Sequence, residues 1–119
     1  MDLRDFQNLP LRGGFLLLNV NISTEPMVDA MGRAALARTT IIGSTLQIDI
    51  CGSLPDSHAI SISLYHEILE GAAVAVLLPP AAVCEMNEGE FEKAAIDSHR
   101  RFGKATPITV NQMLESFGF

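Results

Sequence analysis

The sequence predicts a small α+β domain: a short mixed or antiparallel sheet packed on one apolar helix, with a second helix alongside. Three observations carry that expectation. From Thr39 to Ile50 the chain is rich in β-branched residues, and Leu46, Ile48 and Ile50 alternate with Gln47 and Asp49. That period of two describes a strand with one buried face. From Asp56 or Ser57 to Leu78 the apolar residues fill far more than one helical stripe, as in a helix buried on most sides. From Glu88 to Phe102 a helix is framed by Asn87 as its cap and Gly103 just past its end.

The other elements are punctuated by turn and cap chemistry. Residues 1–13 read as an extended arm, with Pro10 and Gly13-Gly14 marking a turn. Phe15 to Ile22 passes from a solid apolar run to alternation, the mark of a strand buried at its start and half exposed at its end. Thr24-Glu25-Pro26 carries helix-start chemistry and predicts a helix over residues 26–36, weakened by Gly32, with the alternative that part of the segment feeds the next strand. Gly43-Ser44 is either a hairpin turn or a bulge within one longer strand. Leu54-Pro55-Asp56 is a turn, and Pro79-Pro80 stops the apolar helix. Arg100 and Arg101 suit the last turn of their helix, where its dipole favours cations. Thr109 to Gln112 reads as a capping box for a short last helix, ended by Gly118.

A chain of 119 residues makes one domain. It is 48% hydrophobic but only 6% aromatic, so its core must be mostly aliphatic. A net charge of −6, with scattered Lys and Arg, argues against nucleic acid as a partner. Met1 to Pro10 lacks the apolar stretch of a signal peptide, and Phe15 to Val20 is far too short to span a bilayer. Neither a membrane nor an export route is expected. The two cysteines, Cys51 and Cys84, fit a reduced, cytoplasmic setting, with Cys51 as a buried thiol or a soft ligand.

The chemistry concentrates in Tyr65-His66-Glu67-Ile68-Leu69-Glu70-Gly71. His66 and Glu70 are four apart, which on a helix puts their Cβ atoms roughly 5–6 Å apart on one face. Both can reach a single metal ion. Glu67 points about 100° away and would flank the ion, where a general base for a metal-bound water belongs. Three ionisable groups on so apolar a helix are costly unless a metal or a partner satisfies them. Zinc or another divalent ion is the expected cofactor. The metal-free rival is a buried ion pair of Glu67 or Glu70 with Arg33, Arg38 or Arg100.

A catalytic metal site needs a third protein ligand and an open position. The preferred third ligand is His99, with Glu92 the alternative; the two are seven apart on one side of the 88–102 helix. Glu92 would suit a harder ion than zinc. His58 faces the same way as His66 but lies about 12 Å along the axis, too far to share an ion. The acidic stretch of Glu85, Glu88, Glu90 and Glu92 lacks the loop spacing of an EF-hand calcium site and reads as a solvated helix start. Tyr65 reads as a packing residue.

A strand at Thr45–Ile50, a turn at Leu54-Pro55-Asp56 and a helix bearing His66-Glu67 resemble the minimal zincin-like metallopeptidases. The resemblance covers roughly residues 39–103. It implies a metal-dependent hydrolase, a peptidase acting on peptide or protein substrates. It also implies His66 as a ligand and Glu67 as the general base. The family's second histidine is Glu70 here, an HExxE variant of HExxH. Two readings from another class stand beside it: an inactive zincin-like domain that binds a partner protein, and a homo-oligomer built on the apolar helix.

Overall fold

The computed structural model describes residues 2–28, 34–53 and 56–119. It is an α+β fold of a four-stranded mixed sheet and three helices. The strands β1 (Leu9–Leu11), β2 (Phe15–Ser23), β5 (Ala37–Ile42) and β6 (Thr45–Cys51) lie in the order β1-β2-β6-β5. β2 and β6 are parallel; β1 pairs antiparallel with β2, and β5 antiparallel with β6. A register shift falls between Leu17 and Asn19, where β2 changes from solid apolar sequence to alternation.

The first residues are tied down. A 3-10 turn over Leu3–Phe6 leads into β1, and Phe6 is buried in the core. Gly43-Ser44 is a two-residue hairpin turn between paired Ile42 and Thr45. Gly43 has φ 62°, the positive value that a type II′ turn needs at its first central residue.

The helix expected over 26–36 is not what its ends form. β3 (Met27–Val28) and β4 (Ala34–Ala35) pair antiparallel, while residues 29–33 lie outside the described residues. Met27 is buried and Val28 exposed, a period of two, and Gly32 disfavours a helix here. The Leu54-Pro55 turn also lies outside the described residues.

α1 (Ser57–Ala75) is capped by Asp56, whose side chain accepts from the Ala59 N–H. It ends three residues before Leu78. Pro79 has no N–H for the Ala75 carbonyl, and Leu78, before a proline, is pushed extended. α2 (Glu88–Phe102) has the expected bounds, with a capping box between Asn87 and Glu90 and Gly103 at φ 82° after its last turn. α3 (Pro107–Ser116) starts earlier than expected: Thr106 is the cap and Thr109 the third helical residue of the box. Pro107 at the first helical position is preorganised for that start.

The core lies between one face of the sheet and the helices. Leu17, Leu46, Ile48 and Ile50 from the sheet meet Leu64, Tyr65, Ile68 and Leu69 of α1, with Val110, Met113 and Leu114 of α3. It is mostly aliphatic, as the composition requires, with Phe6, Phe15, Tyr65 and Phe91 buried among the aliphatic side chains. α1 is buried through its middle, but its last turn is not covered: Val74 is 66% exposed, and beyond it Leu77 is 99% exposed. On the opposite sheet face Arg38 pairs with Asp49 at 3.3 Å, and exposed Ile42 lies beside Thr45.

Gly71 lets α1 approach the sheet closely. A Cβ there would lie 3.1 Å from Thr39 Cγ2 and 3.3 Å from Leu46 Cδ1, both on the core face. Gly71→Leu must push α1 away from β5 and β6. Overpacking of this kind costs about 1–3 kcal/mol, to be read as a lower urea midpoint with an unchanged slope.

Candidate metal centre

α1 and α2 pack side by side and antiparallel, so residues late in α1 meet residues early in α2. His66 and Glu70 of α1 thereby face Glu88 and Glu92 of α2. The His66 ring is 7% exposed and is bound at both nitrogens. Nε2 lies 2.8 Å from Glu70 Oε2 and 2.9 Å from Glu88 Oε1. Nδ1 lies 2.6 Å from Glu92 Oε2. Phe91, 6.3 Å from the ring centre to centre, forms an apolar wall beside it. Ligand atoms of His66, Glu70 and Glu88 all lie within 4.8 Å of one another, close enough to hold one metal ion.

The electrostatics follow from that crowding. Burial lowers the His66 pKa, but hydrogen bonds to Glu70 and Glu92, with the charges of Glu67 and Glu88, outweigh it. The result is a rise from 6.5 to about 9. The hydrogen bond from His66 holds Glu70 below the usual carboxylate range. Partial burial and the neighbouring Glu70 push Glu88 up. Without a metal, the hydrogen bonds favour a protonated His66 held among the side chains of Glu70, Glu88 and Glu92. A divalent ion at Nε2 would replace that proton and neutralise Glu70 and Glu88, leaving Nδ1–H to donate to Glu92. Metal-bound histidines usually have such a carboxylate on their other nitrogen, which orients the ring and raises its basicity.

Glu67 turns toward the sheet. Thr39 Oγ1 on β5 donates to Glu67 Oε1 at 3.0 Å, and the close passage of α1 at Gly71 makes that contact reachable. Burial raises the Glu67 pKa, with the Thr39 hydrogen bond opposing.

Of the residues expected at the site, His66 and Glu70 come together. Glu92 also reaches His66, at the nitrogen opposite Glu70. His99 does not join them: its Nδ1 is 2.9 Å from Ser61 Oγ, and its ring packs against His58. The reason is the antiparallel packing. Seven residues beyond Glu92, about 10 Å of rise, carry His99 toward the start of α1. Glu88 is the residue the sequence reading passed over. Its signal is the four-residue step to Glu92, which mirrors the step from His66 to Glu70.

Comparison of the chain with protein-family models, with curated proteins and with solved structures returned no match. The site is therefore described by its own chemistry. Arg38 pairs with Asp49, and Arg100 lies 3.8 Å from Asp97; Arg33 lies outside the described residues. Among the described residues, no arginine or lysine pairs with Glu67 or Glu70. Cys51 is a half-buried free thiol 3.0 Å from Ser53 Oγ, and Cys84 is exposed. Tyr65 is fully buried and donates to the Gly103 carbonyl at 2.9 Å, tying α1 to the end of α2. No helix among the described residues is long and apolar enough to cross a membrane.

The raised His66 pKa predicts opposite pH responses with and without metal. Because the folded pKa, about 9, exceeds the unfolded 6.5, protonation stabilises the metal-free fold. That contribution is complete below pH 6.5 and disappears as pH rises through 9. Solvent at the exposed Glu88 screens it to on the order of 1–2 kcal/mol. A ligand must shed its proton, so zinc affinity rises through the same window. Urea unfolding at pH 6, 7.5 and 9, with and without zinc, reads both trends.

Proposed function

We propose that this protein is a zincin-like metal-dependent hydrolase acting on peptide or amide bonds. One observation carries the reading: His66 is bound at Nε2 by Glu70 and Glu88 and at Nδ1 by Glu92. His66, Glu70 and Glu88 would hold the ion, and Glu92 would orient the imidazole. One nitrogen and two carboxylates can hold zinc but suit a harder divalent ion such as manganese better. When bound, the ion supplies a polarised carbonyl and a water acidic enough to attack at neutral pH. Glu67 would be the general base and acid of the reaction, and burial, which raises its pKa, suits a group that must both take up and release a proton. Thr39 holds the Glu67 carboxyl in place until substrate arrives. Glu88 is 75% exposed, so the cluster opens toward solvent, and a partner chain could supply further wall.

Exposed Val74, Leu77 and Leu78 favour a second reading, an inactive domain of the same kind that binds another protein or its own copy. One experiment separates the two. The chain is stripped with a chelator, reloaded with zinc or manganese, and incubated with a mixture of peptides of known sequence. The hydrolase reading expects cleavage that disappears on chelation and returns on reloading. Metal uptake without cleavage under either ion favours the binding module.

A further inference from the structure

The start of α1 and the end of α2 bring together a second pair of imidazoles. His58 and His99 lie 4.3 Å apart, ring centre to ring centre, with their planes at 70°. His99 is held in place: Nδ1 is 2.9 Å from Ser61 Oγ, and that oxygen accepts from the Ala105 N–H at 2.8 Å. With Nδ1–H donating to Ser61 Oγ, Nε2 is the ring nitrogen left for a ligand. This is how metal-binding histidines are oriented, one nitrogen anchored to a polar group and the other free.

We propose that His58 and His99 form a two-imidazole site for a borderline transition-metal ion, for which Cu2+ is the strongest-binding representative. The proposal does not depend on the His66 cluster being a metal site. Bond lengths of about 2.0–2.1 Å place two adjacent imidazole nitrogens about 3 Å apart. Rings 4.3 Å apart reach that separation when the exposed His58 turns about its side-chain bonds. Burial, His58 and Lys104 lower the His99 pKa, which favours the neutral form of its imidazole. Carboxylates surround His66, whereas the groups contacting His99 are a hydroxyl and an imidazole. The two ends of the α1–α2 seam thus offer different chemistry, harder at Glu88 and softer at His99.

The test is Cu2+ stoichiometry on the full chain at pH 7, in enough glycine to suppress weak surface binding. Wild type is compared with His58→Ala and His99→Gln. His58 is exposed, so its variant is expected to fold as wild type does. The proposal expects His58→Ala to bind one Cu2+ fewer per chain than wild type. It also expects the wild-type copper resonance to show two imidazole nitrogens that the variant lacks. His99→Gln should match His58→Ala. If the His66 cluster takes no copper, the counts fall from one to none; if it does, from two to one. Equal stoichiometry in wild type and His58→Ala overturns the proposal in either case.

Discussion

Loaded with metal, Glu67→Gln should cleave peptide about 100- to 10,000-fold more slowly than wild type, the range that a positioned general base contributes. The substitution preserves size and keeps an oxygen for Thr39 Oγ1, which donates to Glu67 Oε1 in the native chain. It removes the ability to accept a proton. Glu67 bonds to Thr39, while Glu70 and Glu88 bond to His66, so metal affinity should change little. The diagnostic result is a lower kcat with retained metal. Loss of metal together with activity would make Glu67 a ligand; unchanged activity would remove it from the reaction.

The carboxylates of α2 should separate by role. Glu88→Ala removes a ligand and should weaken zinc binding by more than about 100-fold. Glu92→Ala removes the group that orients His66, and such losses cost about 10- to 100-fold. Competition titration against a chelator of known affinity ranks the two. If Glu92→Ala costs more than Glu88→Ala, the ion sits at Nδ1 rather than Nε2 and the site is reversed. Neither change should unfold the chain, because both side chains are at least half exposed.

Much of the fold was legible because its signals are local. The alternation of Leu46, Ile48 and Ile50 gave β6, and Asn87 with Gly103 bounded α2 to the residue. Residues 26–36 misled because Thr24-Glu25-Pro26 mimics a helix start, while the pairing of Met27-Val28 with Ala34-Ala35 depends on contacts absent from the local pattern. α3 was placed too late because Thr109 serves as the third residue of a box that Thr106 opens.

The site divides in the same way. His66 and Glu70 share one helix, so their spacing alone brought them together. The third ligand comes from another helix, and its identity depends on the direction in which that helix runs. Antiparallel packing sends His99 to the beginning of α1 and brings Glu88 and Glu92 to His66. Spacing within α2 could show that Glu92 and His99 share a side, but not which end meets the motif. Gly71 was legible as a residue and not as a cause: its contact distance to Thr39 exists only once β5 lies beneath α1.

Metal content per chain, measured by mass spectrometry on protein purified without a metal-affinity tag, tests the centre at His66 directly. Wild type is measured beside His66→Ala and Glu70→Ala. A metal centre at His66, Glu70 and Glu88 predicts about one divalent ion per wild-type chain at that centre, absent from both variants. A wild-type chain that holds no ion, and takes none up from zinc, would contradict it. His66 would then be a buried histidine satisfied by hydrogen bonds to Glu70, Glu88 and Glu92 and nothing more.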